Sequence, residues 1–160
     1  IMLDIYNDAW EENWGFVPMT QKEFQHTAKD LKMIANERLI IFAEVEGEPA
    51  GFAVGLPDLN QVFKKIPSGS LFPFGLFKLL NHKKHCTRFR VPTLGIKKKF
   101  QRLGLDGLLY QKLQKEALDA GFTEWEASWI LEDNVGMNKP LIKMGAKPYK
   151  TYRIYERASH

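Results

Sequence analysis

Gln101-x-x-Gly104-x-Asp106 follows the apolar run Leu94-Gly95-Ile96 and opens into a helical pattern that starts at Leu105, with Lys97, Lys98, Lys99 and Arg102 beside it. A strand, a short basic loop containing glycine and a helix start together make a site for an anion. The first N–H groups of a helix have no intrahelical acceptor and carry about half a positive charge, so a phosphate is stabilised there without a dedicated side chain. Gly104 lets the backbone come close to such an anion, and the basic residues add charge around it. No Ser-His-Asp or Cys-His spacing accompanies the loop, so the chemistry indicated is ligand binding and not a covalent nucleophile. His82, His85 and Cys86 are close together, but His26 and His160 do not complete a ligand set, and no metal is expected.

Composition sets the frame. The 160 residues, 44% apolar and 12% aromatic, suffice for one core and read as a single α+β domain over residues 1–160. Cys86 is the only cysteine, so an intrachain disulfide is excluded and a reducing cytoplasm is expected. No apolar run reaches the roughly 20 residues that span a bilayer, and no signal-peptide layout is present. A start at Ile1 leads to the expectation of a further element upstream. The formal charge of +4 is concentrated in Lys78, Lys83, Lys84, Arg88, Arg90, Lys97 to Lys99 and Arg102, which suggests an anionic partner or a solvated basic face.

The elements around the loop follow from periodicity and punctuation. Asp4 to Trp14 reads as a short amphipathic helix ending near Gly15. Thr20 and Glu23 form a capping box for a second helix, with Phe24, Ala28, Leu31 and Met33 as its inner face. Two apolar runs, 39–45 and 51–56, joined by Glu46-Gly47-Glu48-Pro49, make an antiparallel hairpin. Residues 57–86 are an irregular, partly helical insertion. Its Phe72, Phe74 and Phe77, beside Lys78, Lys83 and Lys84, cover a substrate pocket, touch a membrane surface, form a dimer contact or fold back onto the core. Arg88 to Ile96 is a strand, Leu105 to Ala120 a helix closed by Gly121, and Phe122 to Glu132 a half-buried strand with Trp125, Ala127, Trp129 and Leu131 on one face. Asn134 to Met144 is a short helix in which Pro140 requires a late start near Asn138 or a kink, and Lys147 to Glu156 is a final strand.

This order of elements, with the loop and with Asn134 and Gly145 downstream, resembles the GNAT family of acyl-CoA-dependent N-acyltransferases over about residues 4–156. The loop matches the family's Q/R-x-x-G-x-G/A signature except at Asp106, and the strand that precedes the family's first helix is missing. The resemblance implies a GNAT fold: a mixed, mostly antiparallel twisted sheet flanked by helices. It also implies acetyl-CoA as co-substrate and an amine, small molecule or peptide, as acceptor. By position, Leu94, Gly95 and Ile96 flank the pantetheine arm, and Gln101, Arg102, Leu103, Gly104, Leu105 and Asp106 hold the pyrophosphate. Asn134 takes the place of the asparagine that contacts CoA. Where many members carry a proton-donating tyrosine, this chain has Leu141, so Tyr149 or Tyr152, with Tyr155 and Tyr110 as further candidates, takes that role. Glu132 is the first choice of base, ahead of Asp133, Asp58 and Glu44, and a backbone N–H near Ile96 is the oxyanion donor. Asp106 caps the helix, pairs with Arg102 or has no ligand role.

The expected function is direct transfer of an acetyl or other acyl group to an amine. Leu141 and Asp106 support a second reading, a module that binds acyl-CoA without turnover. Nucleic-acid binding through residues 78–102 ranks last, because no recognised motif accompanies the charge.

Overall fold

The computed structural model describes all residues except 14, 67–68, 71, 73–74, 82–83 and 158–160. Trp14, Phe74, His82, Lys83 and His160, named above, lie outside the described residues. The chain forms two compact units, residues 1–126 and 127–160.

In the first unit, helix α1 spans Met2–Trp10 and so begins earlier, and ends sooner, than its polarity pattern suggests. Helix α2 spans Gln21–Lys32. It has the expected capping box, with the Thr20 hydroxyl accepting from the Glu23 N–H and the Glu23 carboxylate accepting from the Thr20 N–H at 2.8 Å. Its expected inner face is only half realised: Phe24 and Leu31 are half-buried, whereas Ala28 and Met33 are exposed.

Strands β1 (Ile40–Val45) and β2 (Glu48–Pro57) form the hairpin, turning at Glu46 and Gly47, both with positive φ. Two short helices, α3 (Asn60–Phe63) and α4 (Gly75–Leu80), lie in the insertion. Strand β3 (Arg88–Ile96) pairs antiparallel with β2, and the register shifts between Val54 and Leu56. Helix α5 spans Leu105–Asp119, and strand β4 (Glu124–Ala127) completes the order β1-β2-β3-β4.

Alternation along β2 sorts the packing into layers. Phe52 and Val54 meet Ile5, with Met2, Tyr6 and Trp10 of α1 around them. Gly51 and Gly55 point the other way, where a Cβ would lie 3.5 Å from Leu109 and 3.2 Å from Leu113 of α5. The sheet is thus sandwiched between α1 and α5, and small residues on β2 let α5 lie close against it. This is the α+β arrangement expected.

The second unit holds helix α6 (Val135–Lys143), which includes Pro140. A proline this far from the helix start removes one backbone donor, and α6 accommodates it without the late start considered above. The final strand does not form. Its residues make one parallel bridge, Leu131 with Tyr152, and the half-buried strand shrinks to the four residues of β4. A single bridge with the Glu132 N–H donating to the Tyr152 carbonyl at 3.0 Å replaces a ladder.

Candidate functional site

Strand β3 delivers Leu94, Gly95 and Ile96 to the loop. Gly95 faces α1, and a Cβ there would fall 2.4 Å from Trp10 Cζ3. Ile96 faces α5, beside Gly51. Strand β4 starts where the Thr123 and Glu124 N–H groups donate to the Thr87 carbonyl, and it has four residues against nine in β3. At equal rise it runs out well before Leu94.

A 3-10 turn over Lys98–Phe100 follows, and then Arg102 and Gly104 both take positive φ, 67° and 75°. Gly104 is the N-cap of α5 and has no side chain with which to cap it. The N–H groups of the first turn therefore point outward from a backbone bent by Gly104, and a Cβ on Gly104 would meet nothing within 4 Å. Leu105 is buried, while Gln101, Leu103 and Gly104 are exposed. Gln101 Nε2 donates back to the Ile96 carbonyl at 3.4 Å. This geometry suits an anion.

The lysines do not serve it as the sequence suggested. Glu48 holds Lys97 at 3.3 Å and Lys99 at 2.6 Å, and Glu11 and Glu12 hold Lys98 at 2.8 and 2.9 Å. Asp8 accepts from the Lys98 N–H at 2.6 Å. The paired lysines lower the Glu48 carboxyl below its usual range, Lys99 most of all, and Glu11 and Glu12 raise Lys98. Among the described residues Arg102 is the one loop cation with no carboxylate partner. Among the described residues Asp106 makes no ion pair with Arg102, and the N-cap of α5 is Gly104, with no side-chain cap. Asp106 lies one turn before Tyr110, whose buried hydroxyl is pushed up to about 12 by desolvation and then by the Asp106 charge.

Two features escaped the sequence reading. Alternation put Glu126 on the outward face of its strand, yet it is 7% exposed, while Trp129, expected inside, is 79% exposed. Glu126 is stabilised by Arg90 at 3.2 Å and Arg88 at 3.7 Å, and Arg88 also reaches Glu124 at 2.6 Å and buried Asp58 at 3.8 Å. Arg88 and Arg90 therefore answer three carboxylates and are not an anion site. The second feature is Thr93, whose buried hydroxyl has no hydrogen-bond partner among the described residues. Such a group costs about 1–3 kcal/mol, so it fits a site that a ligand completes.

In the second unit the expected site residues are brought near one another in part. Arg153 grips both oxygens of Glu132, through Nε and through Nη2 at 2.7 Å, and holds its carboxyl below the usual range. The Tyr152 backbone bonds to Glu132, whereas the Tyr149 ring is exposed under the Lys150 ammonium at 4.9 Å. Asn134 Oδ1 accepts from the Met137 N–H at 3.2 Å and so caps α6, and Leu141 is buried.

No protein-family model matches the chain. Over 163 residues it is 40% identical to the bacterial ceramide synthase of Caulobacter vibrioides and, equally, to protein YghO of Escherichia coli. Each match spans 98% of this chain and 42% of the relative, so the chain corresponds to less than half the length of these proteins. Among solved structures it is similar to an aminoglycoside N-acetyltransferase, AAC(6')-Iy in complex with CoA. The identity is 12%, the TM-score 0.63, and the match covers 98% of this chain and 86% of the other. An N-acetyltransferase from Staphylococcus aureus is 21% identical with a TM-score of 0.58, over 89% and 73%. Together with the sandwiched sheet and the loop that opens α5, these likenesses establish that the chain has the fold of the GNAT N-acetyltransferases.

Proposed function

We propose that this chain is the acyl-CoA-binding part of an N-acyltransferase and that its acceptor is the amine of a long-chain base. The observation that carries the first half is the start of α5, bent open by Gly104 at the end of β3 and uncapped, with Arg102 beside it. In this reading the pyrophosphate of acetyl-CoA or a longer acyl-CoA lies against the N–H groups from Leu105, and pantetheine runs along Leu94 to Ile96. The Caulobacter relative's name supports the second half, because a ceramide is the amide of a long-chain base.

In the transfer, the amine nitrogen bonds to the acyl carbon and the carbon–sulfur bond breaks, so the amine must lose a proton and the thiolate must gain one. Glu132 is proposed as the base and Tyr152 or Tyr149 as the donor. Arg153 holds both Glu132 oxygens and lowers its carboxyl below the usual range, which weakens it as a base, so the proposed role requires Arg153 to release it when the amine binds. Replacing Glu132 with Gln is expected to lower kcat by about 10²–10⁴-fold with CoA affinity unchanged. An unchanged kcat would move the role to another carboxylate.

The reading is tested by following thiol release from acetyl-CoA and palmitoyl-CoA with amines ranging from an aminoglycoside to sphinganine. Turnover is expected with sphinganine and the longer thioester. CoA binding without turnover on any amine would leave only a binding module, and no CoA binding would overturn the assignment. A further expectation follows from the acid partners of the loop. Glu48→Gln releases Lys97 and Lys99 and should tighten CoA about 3-fold in calorimetric titrations at low salt, an effect that added salt erases.

A further inference from the structure

We infer that the insertion carrying α3 and α4 is a contact surface for an anionic lipid bilayer. Residues 59–86 contain five lysines and no aspartate, glutamate or arginine, more positive charge than the net +4 of the whole chain. The basic residues that follow it in the chain are mostly neutralised at home: Glu48, Glu11 and Glu12 answer Lys97 to Lys99, and Glu124, Glu126 and Asp58 answer Arg88 and Arg90. In the insertion Lys64, Lys65 and Lys84 are exposed, and Lys78 is held by the Lys65 carbonyl at 2.6 Å.

The apolar side chains of the same segment divide into two sets. Val62 is buried, Leu76 and Leu79 are half-buried, and Gly75 packs so closely that a Cβ would lie 2.4 Å from the Ser70 carbonyl oxygen. These residues hold α3 and α4 in the fold. Phe63, Phe72, Phe77 and Leu80 are instead 50%, 74%, 64% and 68% exposed. Phe77 and Leu80 are three residues apart and so share one side of α4. Of the readings open for these phenylalanines, folding back onto the core is the one that Phe72 and Phe77 do not follow.

Exposed aromatic and aliphatic side chains among lysines, with no acid to repel phosphate, match the two layers of a bilayer interface. Apolar groups enter the headgroup boundary and ammonium groups meet lipid phosphates. Leu80 distinguishes this surface from one for nucleic acid, since an aliphatic side chain offers no face on which a base could stack. The inference goes beyond the proposed reaction and is read without any substrate.

The whole chain is sedimented with vesicles of phosphatidylcholine alone and of phosphatidylcholine mixed with phosphatidylglycerol. Binding is expected only with the mixed vesicles and should weaken as salt rises. The triple variant Lys64→Gln, Lys65→Gln, Lys84→Gln should lose about a hundredfold in vesicle affinity and most of the salt dependence. The double variant Phe77→Ser, Leu80→Ser should also lose vesicle binding with an unchanged melting temperature and unchanged CoA affinity, because both side chains are already in solvent. Failure to bind the mixed vesicles, equal binding to neutral vesicles, or variants that bind as well as the parent would overturn the inference. So would a dimer that the serine variant dissociates, which would assign the surface to a second copy, or displacement of the vesicles by RNA.

Discussion

Gly104→Val should weaken CoA about a hundredfold while leaving the chain folded. The backbone at Gly104 has φ near 75°, a conformation that costs an L-residue about 1–2 kcal/mol and a β-branched one more. To escape that cost the loop must turn, and the first N–H groups of α5 then no longer converge on one point. Hydrogen bonds to a charged partner contribute about 1.5–3 kcal/mol each, so losing one of them is enough for the expected change. Because a Cβ at this position meets nothing within 4 Å, the stability loss should stay close to the backbone strain alone. Gly104→Asn separates geometry from bulk: asparagine tolerates the left-handed region and should keep affinity within a few-fold. Calorimetric titration of each variant with CoA, beside a thermal melt, checks both. Retained affinity in the valine variant would remove the pyrophosphate from this loop.

Gly95→Ala should be strongly destabilising. Its Cβ would sit 2.4 Å from Trp10 Cζ3, 2.9 Å from Cη2 and 3.3 Å from the Ala9 Cβ. Trp10 cannot swing clear, since it is stacked on Tyr6 at 4.7 Å and lies 6.3 Å from Phe52, ring centre to ring centre. Overpacking of this kind costs about 1–3 kcal/mol, and here the rigid ring puts the cost at the upper end. Trp10→Leu makes room, so in that background the added methyl should cost at least about 1 kcal/mol less. Denaturant titration of the four proteins in the cycle measures the coupling. Strictly additive losses would show that α1 is not seated over Gly95.

Elements specified by neighbouring residues were legible in the sequence. The Thr20 and Glu23 capping box, the turn at Glu46 and Gly47 and the start of α5 at Gly104 each depend on residues within a few positions, and each forms as read. What pairs across the chain was not. Glu48 meets Lys97 and Lys99 from about fifty residues away, and Glu11 and Glu12 meet Lys98 from still farther, so three lysines in a row looked like charge available to a ligand when all three were already answered. Polarity misled at Glu126 for a related reason: a carboxylate reads as solvent-facing unless its arginines are known to be beside it. The tyrosine- and arginine-rich stretch from Lys147 has the composition of a strand, but one bridge at Tyr152 is all it makes. The candidate site divides along the same line. Its anion-facing backbone is local and was readable, while the partners of Glu132 and Lys98 were set by tertiary neighbours.

The acid partners of the loop also determine when its order is acquired. Lys98 ties it to the end of α1 through Asp8, Glu11 and Glu12, and Lys97 and Lys99 tie it to the hairpin through Glu48. The conformational entropy of those residues is therefore lost on folding and not on ligand capture. A loop clamped from both sides meets its ligand already shaped, so amide exchange over residues 97–100 should be as slow in the free chain as in the occupied one.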